Sequence, residues 1–583
     1  MSLNLYRNLF RHLSLAALGL ACALPSHAVH INPDGRGQVL IYPYYTVNAG
    51  KATLVTLINS RDSAKAVRVR FRESRNGVEV MAFNIYLAPF DVWTGAVFSS
   101  SDATDYAQAG PARLASTDNS CTTPRLPSSG QDFYRFDYAG PFSADAGPDQ
   151  LSRTREGFIE VLELGRIENV EGFAAADAIR RGAPGGPRGC DLLSRAWTSN
   201  VSSGLSVGVW SNQPGLGVLS PDGGLEGSAI IVDVALGSSF SVPTVALDGF
   251  FVPAADCAPD CRGRGDENLH AGPGEAYPSL ADARNGEDGR AVAEFPPGGR
   301  AQHMNFTGPD AGLKAVSAVL MRQHLDNTFQ QSAAGQSLVA RSEWVVTFPT
   351  KHLHLAQSTP EQRLPFRSAY GWAAQSPNWP NAGLSGACEP LSVDYGDREG
   401  RRVNRNAEGV EFGIPPPPPP APALCHASQV IRINDSVSPA SEGERLYEAL
   451  RGDSTSALFG SAHALRLRTC TGRKRLRLAP NGRFNNCVSG DFTEGWMRLE
   501  LGEPQRNYLY SALQPDASQA GSTNLLLGLP AIGFAVSEFE GSDTPGVLAN
   551  FSTLQEHAGE RASRAGQLDA ANPAGGWTPV SGD

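Results

Sequence analysis

Between Gln38 and Phe98 the chain alternates. Val67, Val69 and Phe71 are separated by Arg68, Arg70 and Arg72, and a period of two sends the apolar set to one face of a strand and the guanidinium groups to the other. The pattern predicts an antiparallel strand with one wet side. Thr53 to Asn59 and Val78 to Leu87 carry strand signatures on either side, and Arg75-Asn76-Gly77 supplies a turn from residues that tolerate positive φ. Successive strands at this spacing predict a sandwich.

Further along, Ser99 to Arg155 is rich in Gly, Pro, Ser and Asp and reads as a long decorated loop held by Cys121. Strands resume at Gly157 to Leu164. Phe173 to Arg181 and Asp191 to Thr198 read as short helices, and Leu205 to Trp210 and Ala229 to Leu236 are β-prone. Asp256 to Gly299 is irregular. Ala315 to Met321 and Ser342 to Phe348 are β-prone again, the latter alternating Trp344, Val346 and Phe348 inward. Pro415 to Pro420 is an unbroken proline run, necessarily extended and never a central strand. It reads either as a linker or as a loop across a bridge between Cys388 and Cys425. Later β-prone runs are Gln429 to Asn434, Leu465 to Arg468, Trp496 to Leu501 and Ala531 to Val536. The expected fold is mainly β: antiparallel β-sandwich domains with long Gly/Pro-rich loops and a few short helices. Its expected divisions are a leader at 1–28, an N-terminal sandwich region at 29–360 with long loops at 99–155 and 256–299, and an aromatic-containing connector at 361–387. A C-terminal β-rich region at 388–558, with its proline-run loop at 415–422, and a disordered tail at 559–583 complete it.

Composition adds compartment and covalent staples. The 583 residues exceed one ordinary core, and 41% hydrophobic with 19% charged is a globular balance. Gly at 62 and Pro at 42 favour turns and short strands. A net charge of −10 opposes non-specific nucleic-acid binding, which needs a basic surface. Arg7 and Arg11, the apolar run Leu13 to Leu24 and Ser26-His27-Ala28 together predict a secretory signal peptide cut after Ala28. A lipoprotein signal through Cys22 fits less well, because Gly19 and Leu20 sit where such signals prefer a small and a branched aliphatic residue in the opposite order. No apolar stretch reaches the ~18 residues of a spanning helix, so no transmembrane helix is expected once the leader is removed. The expected location is extracellular, cell-surface or periplasmic.

Cys121, Cys190, Cys257, Cys261, Cys388, Cys425, Cys470 and Cys487 then remain, an even set in an oxidising compartment. Pairing of sequence neighbours (121 with 190, 257 with 261, 388 with 425, 470 with 487) is the simplest scheme. Cys257 and Cys261 also resemble half a zinc site, but no second pair or His stands at ligand spacing.

Motifs with reactive chemistry are weak. Gly204-Leu205-Ser206-Val207-Gly208 has the spacing of a nucleophile elbow, yet Leu205, Val207 and Val209 alternate through it as a strand would. Gly452-Asp453-Ser454 has a helix-like run before it and no Asp-x-x-His after it. His352 and His354, on a strand, would share one face and begin a metal site; two strand histidines are the plainer reading. Asp394, Asp397 and Glu399 lack the spacing of a calcium loop. Arg264-Gly265-Asp266 spells an integrin-recognised tripeptide in a Gly-rich loop. The Arg68, Arg70, Arg72 face suits a polyanion, with Glu73 and Glu79 balancing it. Tyr370, Trp372 and Trp379 suit either a sugar-stacking platform or a plug between domains. No catalytic residue, metal ligand or cofactor is assigned.

The runs GQVLIYPYYTV (Gly37 to Val47), FNIYLAPFDVW (Phe83 to Trp93), REGFIEVLELG (Arg155 to Gly165), EWVVTFPTKH (Glu343 to His352) and GWMRLEL (Gly495 to Leu501) resemble a family of exported bacterial proteins labelled hypothetical or cell-surface. The resemblance spans about residues 37 to 550 and implies an envelope or extracellular location without implying an activity. The expected function is therefore that of a secreted or surface, non-catalytic protein for adhesion, envelope structure or assembly, with envelope components or glycans as partners. A polysaccharide-binding protein or glycoside hydrolase is the alternative. An outer-membrane barrel fits less well, because the strand spacing is irregular.

Overall fold

The computed structural model describes residues 28–101, 109–134, 150–180, 189–198, 208–252, 268–285, 290–295, 302–332, 338–366, 388–400, 402–404, 423–433, 455–467, 493–502, 507–511, 523–541, 550–568 and 577–579. Within them the alternating N-terminal runs become strands. Ala64–Glu73 lies between Glu156–Ile167 and Glu79–Leu87, antiparallel to both, and the turn into Glu79–Leu87 passes Gly77 at φ 70°. The Glu73 carboxylate closes that turn by accepting the N–H groups of Arg75 and Asn76 at 2.8 and 2.7 Å.

The full sheet runs His30–Ile31, Val245–Asp248, Val39–Thr46, Glu156–Ile167, Ala64–Glu73, Glu79–Leu87, Cys121–Thr123, with Val218–Leu219 also paired to Glu156–Ile167. A second sheet runs Ser238–Val242, Leu225–Asp233, Lys51–Asn59, Val92–Ser99, Ala112–Ala115, Gln131–Asp132. Tyr42, Val67, Val69, Phe71 and Val161 of the first meet Val55, Leu57, Trp93 and Ile231 of the second in one core. This is the predicted sandwich, and the chain is mainly β throughout.

A second pair of sheets is built from later residues. One orders His324–Gln330, Glu494–Leu501, Glu389–Asp397 and Arg402–Asn404, with Ala423–Leu424 on Glu389–Asp397. The other orders Leu465–Leu467, Ser428–Ile433, Leu338–Thr347, Ile532–Gly541 and Phe551–Glu556. Trp344, Val346 and Ile431 face Phe329, Tyr395 and Met497 in the core between them. Their sequence neighbours Val345 and Val430, with Phe534 and Val536, point the other way and join the core of the first sandwich. A strand buried on both faces needs a nearly continuous apolar run, which is what Trp344 to Phe348 supplies. The Thr347 hydroxyl donates to the Pro43 carbonyl at 2.6 Å, tying this sheet to the first.

Several expectations are corrected. The Arg68, Arg70, Arg72 face is buried, because the helices Ala175–Ile179, Cys190–Ala196 and Ala311–Leu320, together with residues 268–285, cover that side of the sheet. Ala315 to Leu320 belongs to the Ala311–Leu320 helix, and only Met321 opens a strand, Met321–Arg322; the valines suggested β, but alanine, the best helix former, recurs through the helix. Gly208 takes φ 71° and opens the short helix Val209–Asn212, where a strand was expected. Both long loops carry strands, at Ala112–Ala115, Cys121–Thr123, Gln131–Asp132 and Ala291–Phe295. The last stretch contributes Ala562–Leu568, paired with Thr523–Leu527.

Two disulfides join sequence neighbours, Cys121 to Cys190 and Cys388 to Cys425. Cys257, Cys261, Cys470, Cys487 and the proline run lie outside the described residues. Among the described residues no helix is long and apolar enough to cross a membrane.

Candidate functional site

The first concentration of charge is the covered arginine face. Arg68 donates to the carbonyls of Ala271, Gly272 and Glu275 at 3.1, 2.6 and 2.9 Å. Arg70 donates to Glu275, Ala276 and Pro278 and pairs with Glu79 at 2.9 Å, while Arg72 pairs with Glu160 at 2.7 Å. Burial, with Arg70 alongside, pulls the Arg68 guanidinium down to about 10, still charged at neutral pH. Carbonyl dipoles and carboxylates replace the water these cations have lost, and burial keeps the face from a polyanion in solvent.

A second cluster sits where the 455–467 segment meets the first sandwich. Glu156 accepts from the Tyr44 hydroxyl at 2.7 Å and lies 3.0 Å from His463 Nε2. Burial pushes the Glu156 carboxyl up, but His463, Tyr44 and Ser461 outweigh it and hold the group below the ordinary range. The Ser74 hydroxyl is 3.2 Å from the same Nε2, and Arg75 faces Nδ1 at 3.2 Å. A nucleophile relay needs the serine on one ring nitrogen and the acid on the other. Here both crowd Nε2, and Ser74, Glu156 and His463 are all buried. The group holds two layers together.

His352 and His354 fall in the helix Lys351–Leu355, not on a strand. Two residues apart on a helix, they point to different surroundings. His352 packs near Phe158, whereas His354 Nε2 meets the Ser317 hydroxyl at 2.7 Å and Nδ1 faces the Gln362 carbonyl at 3.4 Å. Burial lowers His354 to about 3, so it is a neutral imidazole. Its partner Ser317 is fully enclosed and donates to Thr350 at 2.9 Å. Among the described residues no group of three or more His, Cys, Asp or Glu is arranged to hold a metal; Asp394 and Asp397 are buried in the Glu389–Asp397 strand.

Tyr370, Trp372 and Trp379 lie outside the described residues, as do Ser206, Gly452-Asp453-Ser454 and Arg264-Gly265-Asp266. The aromatic cluster that is described involves other rings. Tyr86 stacks on Trp210 with centroids 5.4 Å apart, and Phe173, Trp197 and His270 pack against Trp210 at 5.1, 5.7 and 4.7 Å. Trp197 Nε1 donates to the Tyr86 hydroxyl at 2.8 Å. Tyr86 and Trp210 are wholly buried, so their faces are core and offer nothing to a sugar. The cleft beside Arg341, Glu343 and Arg432 has room for about one water molecule, far less than the ~300–1,000 Å³ usual for small-molecule sites.

Solvent instead meets the outer face of the second sheet. Leu54 and Ile230 are register partners there, 43% and 37% exposed, with Val92 exposed on the neighbouring strand. Thr56, Thr94 and Ser228 share that surface, which is uncharged over its centre. The sequence signal for the buried charges is Glu160, which interrupts the apolar run Phe158 to Leu162 and stands in register with Arg70. No protein-family model, curated protein or solved structure matches the chain.

Proposed function

We propose that the protein is exported and acts without catalysis, as a disulfide-stapled β-sandwich protein of the cell surface or envelope serving adhesion, envelope structure or assembly. One observation carries this reading: the serine–histidine pairs and the arginine face are enclosed and spent on joining layers. The two disulfides are compatible with an oxidising compartment.

Protease shaving of intact cells, followed by mass spectrometry without reductant, tests the reading. The expected result is a chain removed from the surface, lacking its leader and with its cysteines paired. A cytoplasmic chain that keeps its leader and free thiols would overturn it.

A further inference from the structure

Lysine is scarce here, five against 44 arginines, and Lys51, Lys65 and Lys351 are buried. Lys51 meets one acid, Asp233, at 2.8 Å. Lys351 lies against the carbonyls of Leu424, Cys425 and His426. Lys65 differs from both, because it meets two acids. Its Nζ is 2.6 Å from Glu163 Oε1 and in contact with Asp222 Oδ1.

Lys65 and Glu163 project from adjacent strands of the first sheet, beside the register shift between Glu163 and Gly165. Asp222 belongs to the turn that enters Leu225–Asp233 of the second sheet. Glu163 fixes that turn, accepting the N–H groups of Asp222 and Gly223 at 3.1 and 2.9 Å. The turn depends on Gly223 and Gly224, both at positive φ of 72° and 78°. The second Asp222 oxygen, Oδ2, accepts from the Ser63 hydroxyl at 3.2 Å and lies 3.9 Å from Arg166 Nε. Amine, electrophilic carbon and a second carboxyl are thus held together across the two sheets.

We propose that Lys65 and Asp222 condense into an amide that staples the two sheets of the first sandwich, with Glu163 transferring the proton. The free amine of Lys65 attacks Asp222 Cγ. The Nζ–Cγ bond forms, the Cγ–Oδ1 bond breaks, and Oδ1 departs as water with the two protons the ammonium gives up. Ammonium and carboxylate become a neutral amide, so charge balances and no oxidant or co-reactant enters. Glu163 takes a proton from Nζ and hands it to Oδ1. Burial raises the Glu163 carboxyl to about 7 against the opposing pull of Lys65, so it exchanges a proton near neutrality. Charge in the tetrahedral intermediate gathers on Oδ2, which the Ser63 hydroxyl and Arg166 guanidinium face.

Two general considerations favour the bond over a plain ion pair. Fixing amine and carboxyl in contact gives an effective concentration of about 10⁵ M or more, which offsets the resistance of water to condensation between free molecules. Arginine would serve an ion pair equally and is the commoner cation in this chain, but it stays protonated and makes no amide. The staple goes beyond the surface reading and does not depend on where the protein resides.

Intact mass spectrometry of the purified full chain, reduced and unfolded, tests it. The expected mass is lighter than the sequence by one water, and digestion yields one branched peptide joining Lys65 to Asp222. Glu163→Gln, with circular dichroism confirming its fold, and the half-exposed substitution Asp222→Ala are each expected to restore the full mass. A wild-type chain of full mass, with Lys65 in a linear peptide, means an ion pair only and overturns the proposal. Retention of the branched peptide in Glu163→Gln would overturn the role given to Glu163, and its retention in Asp222→Ala would overturn the site.

Discussion

The Lys51–Asn59 and Ala64–Glu73 strands are neighbours in sequence, alternate with the same period and sit in the two facing sheets of one sandwich. Both send valine, leucine or phenylalanine into the shared core. Their outer faces are opposite to intuition. Lys51–Asn59 shows Leu54 to solvent, while Ala64–Glu73 hides Arg68 and Arg70 completely. Alternation identifies a strand, but the fate of its second face is decided by what the rest of the chain lays over it. Residues 271–278 arrive with carbonyls aimed at the guanidinium groups, and Glu79 and Glu160 supply countercharge. Desolvation is offset locally, so the cations stay inside.

Breaking the covered face should have the largest effect. Arg68→Met leaves three carbonyls, those of Ala271 and Gly272 buried, without their donor, and we expect a loss of about 4 kcal/mol in urea unfolding. The Cys121→Ser, Cys190→Ser pair releases a cover helix from the strand Cys121–Thr123 and opens a 69-residue loop. A loss of about 3 kcal/mol is expected, read as a lower urea midpoint without reductant.

Acid should also act on the covered side. Burial lowers His270 to about 4, despite the Pro214 carbonyl that favours its charged form. Below pH ~6.5 the unfolded chain takes a proton that the folded one refuses, so this histidine makes stability fall as pH drops toward 4. His270→Phe should therefore flatten the decline between pH 7 and 4.5 by about 2 kcal/mol, measured as the difference between the two urea profiles. Glu163, raised to about 7, works in the opposite sense over the same interval, and comparing variant with wild type cancels it. The smallest effect belongs to the open face. Leu54→Thr with Ile230→Thr keeps strand preference and removes little buried area, so each should shift stability by no more than about 0.5 kcal/mol.

Much of the framework was legible because it is local. Thr53 to Asn59, Val67 to Arg72 and Ser342 to Phe348 carry their strands in their own period, and the bridges Cys121–Cys190 and Cys388–Cys425 match the simplest, neighbour pairing of the cysteines. The wet face assigned to Arg68 was misread because its cover lies about 200 positions downstream, in a segment with no periodicity. Ala315 to Leu320 reads as β from Val316 and Val319 alone, although the recurring alanines favour the helix that forms. His352 and His354 were placed on a strand by continuing the run before them, although Pro349 interrupts it. The Lys65 site leaves no local trace in the sequence, since its three members are scattered at 65, 163 and 222 and only the fold brings them together.

The claim that the sandwich encloses its arginines while leaving aliphatic side chains outside can be tested directly by dicarbonyl labelling of arginine on the native protein, followed peptide by peptide. Arg125 and Arg398, 76% and 64% exposed along their side chains, should label quickly, while Arg68, Arg70 and Arg153 stay unmodified until urea unfolds the chain. Labelling of Arg68 and Arg70 at the rate of Arg125 in the folded protein would contradict it.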